Sequence, residues 1–161
     1  MLKVMIMSKV EVKKSKIGGM GVFAVKKMKK NEKAFRFSNN LIYINHRPGC
    51  HCKICKRCIN LKKNYWLYPN DCIFGWNLNH SCNPNCYSKG RDIFSLRNIR
   101  PGEEITIDYS TTTVDKKWKM KCSCGKKNCR KIIRSVQFLT PRLFRKYKGF
   151  MPIYVEVNYR K

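Results

Sequence analysis

Asn79-His80-Ser81-Cys82-Asn83-Pro84-Asn85-Cys86 packs two cysteines, a histidine, a proline and three asparagines into eight residues. Asparagine and proline at this density read as a turn, and thiols beside an imidazole are donors suited to a metal ion. A second thiol-rich segment lies downstream, Cys122-Ser123-Cys124-Gly125-Lys126-Lys127-Asn128-Cys129. Its three cysteines are one short of the four ligands of a tetrahedral structural zinc. The missing donor must come from elsewhere in the chain, and Cys82 or Cys86 is the natural source. Such a site would pin the late segment onto the earlier turn.

The chain has ten cysteines in 161 residues. No apolar run reaches the roughly 18 residues of a membrane span. The start, MLKVMIMSKV, is too short and too charged for a secretory signal. These features predict an intracellular protein, with no membrane partner, whose thiols stay reduced and whose clusters serve metal rather than disulfides. A third group, Cys50, Cys52, Cys55 and Cys58, supplies four sulfurs for a second zinc, with His51 and Cys72 as further donors. Cys86 reads as a buried apolar thiol.

With 43% hydrophobic and 12% aromatic residues the chain can build a core of ordinary single-domain size. Lys and Arg number 36 against 9 Asp and Glu, a formal charge of +27. That excess suits nucleic acid or an acidic protein face, or is simply solvated. Val10 to Lys14 reads as a strand, interrupted by the turn Gly18-Gly19-Met20-Gly21 and resumed at Val22 to Val25. Leu41 to Ile44 and Asp92 to Leu96 also read as extended. Residues 47–60 form a cysteine-rich insert. After the Pro101-Gly102 turn, Glu104 to Tyr109 reads as a strand with Ile105, Ile107 and Tyr109 on one face. Thr140, Pro141 and Gly149 bracket a short helix as cap, first-turn residue and stop, whose Leu143, Phe144 and Tyr147 stripe suits packing.

Four elements in this order, Gly19-Met20-Gly21, the Asn79–Asn85 segment, Gly102-Glu103-Glu104-Ile105-Thr106-Ile107-Asp108-Tyr109 and the late C-x-C-x4-C, resemble a SET-domain protein lysine methyltransferase with a post-SET zinc cluster. The resemblance runs from about residue 8 to 135. It implies a mostly β SET fold of short curved sheets with a knot-like crossing, few short helices and a zinc-stapled C-terminal segment. The implied organisation is a SET domain over 8–111 with an insert at about 47–60, a post-SET segment over 112–135, and a C-terminal extension with a short helix over 136–161.

The resemblance also implies roles. S-adenosylmethionine would lie against Gly19, Met20 and Gly21 and against Asn79 and His80, the histidine mainly through backbone. Zinc would be held by Cys82, Cys122, Cys124 and Cys129, which chooses Cys82 over Cys86. Tyr109 would be the catalytic tyrosine. Two residues before it, family members often carry Phe or Tyr; Ile107 here cannot hold a water as a phenol would, which implies di- or trimethylation. Trp118 would wall the lysine channel, with Tyr43 and Tyr65 as weaker channel candidates. The substrate would be a lysine in a protein, such as a histone or other chromatin protein, in the nucleus or the cytoplasm. The competing reading is a zinc-stapled, basic nucleic-acid-binding module without enzymatic activity. Charge and cysteines suit both readings; the glycine turn, the Asn79–Asn85 segment and Tyr109 suit only the enzyme.

Overall fold

The computed structural model describes residues 6–7, 9–37, 59–62, 65–67 and 73–159. The Leu41–Ile44 strand, Tyr43, Cys72 and the Cys50, His51, Cys52, Cys55 and Cys58 cluster lie outside the described residues. The elements are β1 (Ile6–Met7), β2 (Val10–Lys14), β3 (Met20–Ala24), β4 (Lys33–Arg36), β5 (Ile59–Lys62), β6 (Tyr65–Leu67), α1 (Ile73–Asn77), β7 (Asn79–His80), β8 (Cys86–Lys89), β9 (Asp92–Ser95), β10 (Glu104–Ile107), β11 (Lys119–Lys121), β12 (Ile132–Arg134), α2 (Pro141–Tyr147) and α3 (Ile153–Glu156). Regular structure among the described residues is therefore mostly strand, with few short helices.

A five-stranded sheet runs β1-β2-β3-β10-β7 and a three-stranded sheet runs β4-β9-β8; β5-β6 and β11-β12 are separate pairs. Alternation explains the first sheet. Val10 and Val12 of β2 point inward opposite Ala24 and Val22 of β3. They join Met28, Phe37, Ile93, Ile99, Ile105 and Ile107 in the main core. Each fully buried aliphatic side chain contributes about 1.5–3 kcal/mol.

Two strand boundaries differ from the sequence-based expectation. β3 starts inside the glycine run, at Met20, because Gly18 and Gly19 alone make the turn: Gly19 has φ +54° and its carbonyl accepts from Ser15 N at 2.9 Å. Met20 and Gly21 already pair with Lys14 and Lys13. β10 ends at Ile107 rather than Tyr109. Asp108 stops it by accepting from Ser110 N at 3.0 Å, which starts a 3-10 turn over Tyr109–Thr111.

Helix α2 forms where its signals stand. Thr140 Oγ1 accepts from Leu143 N at 3.3 Å, Pro141 opens the helix, and Gly149 follows with φ +80°. Tyr147 is buried, with Leu143 and Phe144 packed beside it, in a C-terminal cluster with Val136, Leu139, Met151 and Val155.

Candidate functional site

The site grows from one crossing. β7 lies parallel to β10, with Asn79 opposite Thr106 and His80 opposite Ile107, and Ser81 N donates to Ile107 O at 3.0 Å. The Asn79–Cys82 segment is thereby laid along the end of β10, beside the turn that carries Tyr109.

Asparagine amides tie this crossing together. Asn79 Nδ2 donates to Glu104 Oε1 at 2.7 Å and to Met20 O at 3.0 Å, which joins β7 to both β10 and the glycine turn. Asn85 serves as a substitute strand for β10: its Nδ2 donates to Glu104 O at 2.9 Å and its Oδ1 accepts from Thr106 N at 2.9 Å. It is 4% exposed, so these bonds satisfy backbone groups that water cannot reach.

Glu104 is a hub whose carboxylate also accepts from Ser15 Oγ at 2.8 and 2.9 Å. Gly21 makes room for it; a Cβ there would stand 2.3 Å from Glu104 Oε1 and 2.9 Å from Ser15 Cβ. At Gly19 no atom stands within 4 Å of where a Cβ would be, so that turn faces open space. A cleft of about 340 Å³ is lined by Lys16, Ile17, Asn85, Glu104, Thr106 and Ser123 to Lys126.

Tyr109 is half-buried against both the main core and the cysteine cluster. Its hydroxyl donates to Leu78 O at 2.5 Å and its backbone N–H donates to His80 Nδ1 at 3.2 Å. Because Nδ1 accepts, the imidazole proton sits on Nε2, which faces Cys82 Sγ at 3.3 Å. Burial, opposed by the charge of Asp108, holds His80 well below its ordinary pKa, at about 4, so the ring is neutral. Trp118 packs on the same cluster as Tyr109, and Ile107 is 2% exposed within the main core.

The sulfurs of Cys82, Cys122, Cys124 and Cys129 lie within 4.8 Å of one another, and Cys82 and Cys122 are 3.7 Å apart. A tetrahedron with zinc–sulfur bonds of roughly 2.3 Å has sulfur–sulfur edges of about 3.8 Å. The donors around Cys82 also fit a thiolate: Arg130 N at 3.3 Å, Arg130 Nε at 3.4 Å and His80 Nε2 all converge on its sulfur. The four residues thus fit a zinc ion. Cys86 is not among them; it sits in the main core, where burial pushes its thiol up.

Arg130 belongs to the candidate site and has no place in the sequence-based expectation. Its NH2 group donates to Asp108 Oδ1 at 2.6 Å and its NH1 group to Ser110 Oγ at 3.1 Å, while its Nε reaches the Cys82 sulfur. One guanidinium therefore joins the cysteine cluster to the residues on either side of Tyr109. Burial disfavours its charge, but Asp108 and Cys82 outweigh burial and raise its pKa. Two signals existed in the sequence: an Arg directly after the last cysteine, and an Asp on a buried strand end that requires a counter-charge. Asn85 and Ser15 had no comparable signal, since their value lies in long-range register.

Among the described residues no helix is long and apolar enough to cross a membrane. The SET domain family model matches residues 19–110. The chain is 36% identical to the histone-lysine N-methyltransferase trithorax of Drosophila virilis over 77% of its length, which is 4% of that protein. It is 44% identical to histone-lysine N-methyltransferase 2B of Homo sapiens over 35% of its length, 2% of that protein. The chain thus spans only a small part of these curated relatives. A solved Plasmodium falciparum protein described as a histone methyltransferase superposes with a TM-score of 0.51 at 29% identity, over 65% of this chain and 95% of that one. With the family model covering more than half of its residues, the chain belongs to the SET-domain family.

Proposed function

We propose that the chain is a protein lysine N-methyltransferase, using S-adenosylmethionine and a structural zinc, with a histone or other chromatin protein as substrate. Its organisation on this reading is a SET domain over 8–111, a zinc segment over 112–135 and a C-terminal extension over 136–161. The observation that carries the reading is Tyr109, whose hydroxyl is anchored on Leu78 O next to Asn79 and His80, at the seam between core and cysteine cluster.

The residues suit this chemistry. When bound, S-adenosylmethionine supplies a methyl group already electrophilic on its sulfonium. Gly19, which faces open space, Met20 and Gly21 beside it, and Asn79 and His80 are the residues that would hold it. Cys82, Cys122, Cys124 and Cys129 would hold zinc, which closes the late segment over the turn that bears Tyr109. The attacking lysine must be neutral, although its ordinary pKa is about 10.4. Shielding by Trp118 and neighbouring apolar groups favours the neutral amine, so its proton can leave to water beforehand. A phenol that donates to Leu78 O still has lone pairs to accept one amine N–H, which aims the nitrogen lone pair. Orientation of this kind supplies much of the acceleration.

Ile107 offers no hydroxyl to anchor a water, and we assign di- or trimethylation to the site on that ground. Ile107→Tyr should shift the product toward monomethyl-lysine by mass spectrometry under excess cofactor; an unchanged product series would remove this assignment. The family-level reading is tested by titrating S-adenosylmethionine into the zinc-loaded protein by calorimetry. Saturable one-to-one binding, weakened in Asn79→Ala, is expected; no heat at any concentration would favour the nucleic-acid-binding module instead.

A further inference from the structure

Between residues 116 and 148 the chain carries thirteen Lys and Arg residues and no Asp or Glu. The β11–β12 hairpin lies within this stretch. Its register pairs Lys119 with Arg134, Met120 with Ile133 and Lys121 with Ile132. Ile133 is 1% exposed and packs with Cys82 and Cys124, so one face of the hairpin is pinned on the cysteine cluster. Two-residue alternation then sets Lys119, Lys121, Ile132 and Arg134 on the opposite, outward face, and all four are exposed.

That face is not arranged for stability. Lys119 and Arg134 stand directly opposite each other, and like charges at such positions are unfavourable. Among the described residues none of Lys119, Lys121 and Arg134 is in an ion pair, in a molecule whose other strands do use Lys–Glu and Arg–Asp pairs. Ile132 is 57% exposed between the cations. An anionic partner would relieve the repulsion and cover the isoleucine.

We propose that this outward hairpin face docks on the phosphate backbone of duplex DNA. A two-stranded ribbon is narrow enough to lie along a duplex groove, and several converging cations displace condensed counterions from phosphates. Single-stranded nucleic acid is favoured less, because the Arg134 guanidinium already covers one face of the Phe138 ring at 3.6 Å and closes that face to a stacking base. Docking here does not depend on methyl transfer. It also resolves a difficulty of the proposed function: a strongly basic protein repels a basic histone tail unless phosphates lie between them.

The test is fluorescence anisotropy with a short labelled DNA duplex and the full zinc-loaded chain. Lys119→Glu, Lys121→Glu and Arg134→Glu together are compared with Lys26→Glu, Lys27→Glu and Lys30→Glu, exposed residues whose reversal changes the net charge equally. The hairpin triple should lose about tenfold or more in affinity, and its slope of log K against log salt should shrink by about 2.7. The control triple should lose less than about threefold. Zinc content and circular dichroism confirm that each variant is folded, and a Gln triple at the same hairpin positions must show a smaller loss of the same kind. Equal losses in both triples would overturn the proposal in favour of diffuse charge attraction. Tighter binding of polyglutamate than of duplex would assign the face to an acidic protein, and tighter binding of single strands would overturn the duplex assignment. Because no cofactor is present, none of these outcomes bears on whether the chain transfers methyl groups.

Discussion

The five-stranded sheet and the cysteine segment over 119–134 are held by different physics. Ile105 and Val22 are fully buried across β10 and β3, and the sheet's edge is completed by Asn79, Asn85 and Glu104. The β11–β12 hairpin instead exposes all three residues of β11 and buries only Ile133 of β12. Apolar burial of that size cannot offset the ordering of some sixteen residues at roughly 1–2 kcal/mol each. On this reading the sheet stands on its own packing, while the segment would depend on a zinc ion held by the four cysteines and on the Arg130–Asp108 bridge. The catalytic candidate Tyr109 sits where the two meet.

Metal removal gives the largest contrast. Structural zinc contributes about 10–16 kcal/mol of apparent binding free energy in small zinc-folded peptides. Chelation, or Cys129→Ser, should expose residues 119–134 to protease while backbone amides of β3 and β10 keep their exchange protection. Loss of protection in both regions at once would merge them into a single cooperative unit.

Arg130→Ala cuts the bridge without touching a thiol. It strands the 1%-exposed Asp108 side chain, whose Oδ2 already has no partner among the described residues. Breaking a buried pair in this way costs about 3–5 kcal/mol. Arg130→Lys should recover less than half, because an ammonium cannot reach Asp108, Ser110 and the Cys82 sulfur with one planar fork. Denaturant unfolding measures both. A full rescue by lysine would mean that charge alone matters.

Asn85→Ala acts inside the sheet. It leaves Glu104 O and Thr106 N without their amide partner, for an expected loss of about 2–3 kcal/mol. Zinc affinity should stay within about threefold of the parent, since Asn85 is not in the cysteine cluster. Coupled loss of zinc would show that the crossing, rather than the thiols, preorganises the metal site.

Local chemistry was the legible part of this molecule. Period-two apolar runs gave β2 and β10, the Thr140, Pro141 and Gly149 signals gave α2, and thiol spacing gave three late cysteines in need of Cys82 or Cys86, between which the family resemblance chose Cys82. The end of β10 was misplaced because Ile105, Ile107 and Tyr109 continue the alternation, whereas the side chain of Asp108 caps the turn and overrides it. β7 and the Asn85 bonds were invisible because two-residue pairings and side-chain ladders depend on contacts distant in sequence. Arg130 was overlooked among 36 cations, since only the fold shows which one meets a buried carboxylate.

On the proposed function the Tyr109 hydroxyl orients a lysine amine for methyl transfer. The most direct test is transfer of labelled methyl from S-adenosylmethionine to purified core histones by the parent and by Tyr109→Phe, with label mapped to residues by mass spectrometry. The expected result is label on lysine with the parent and a loss of about a hundredfold or more when the hydroxyl is removed from a still zinc-loaded, folded protein. Undiminished transfer by Tyr109→Phe would contradict it.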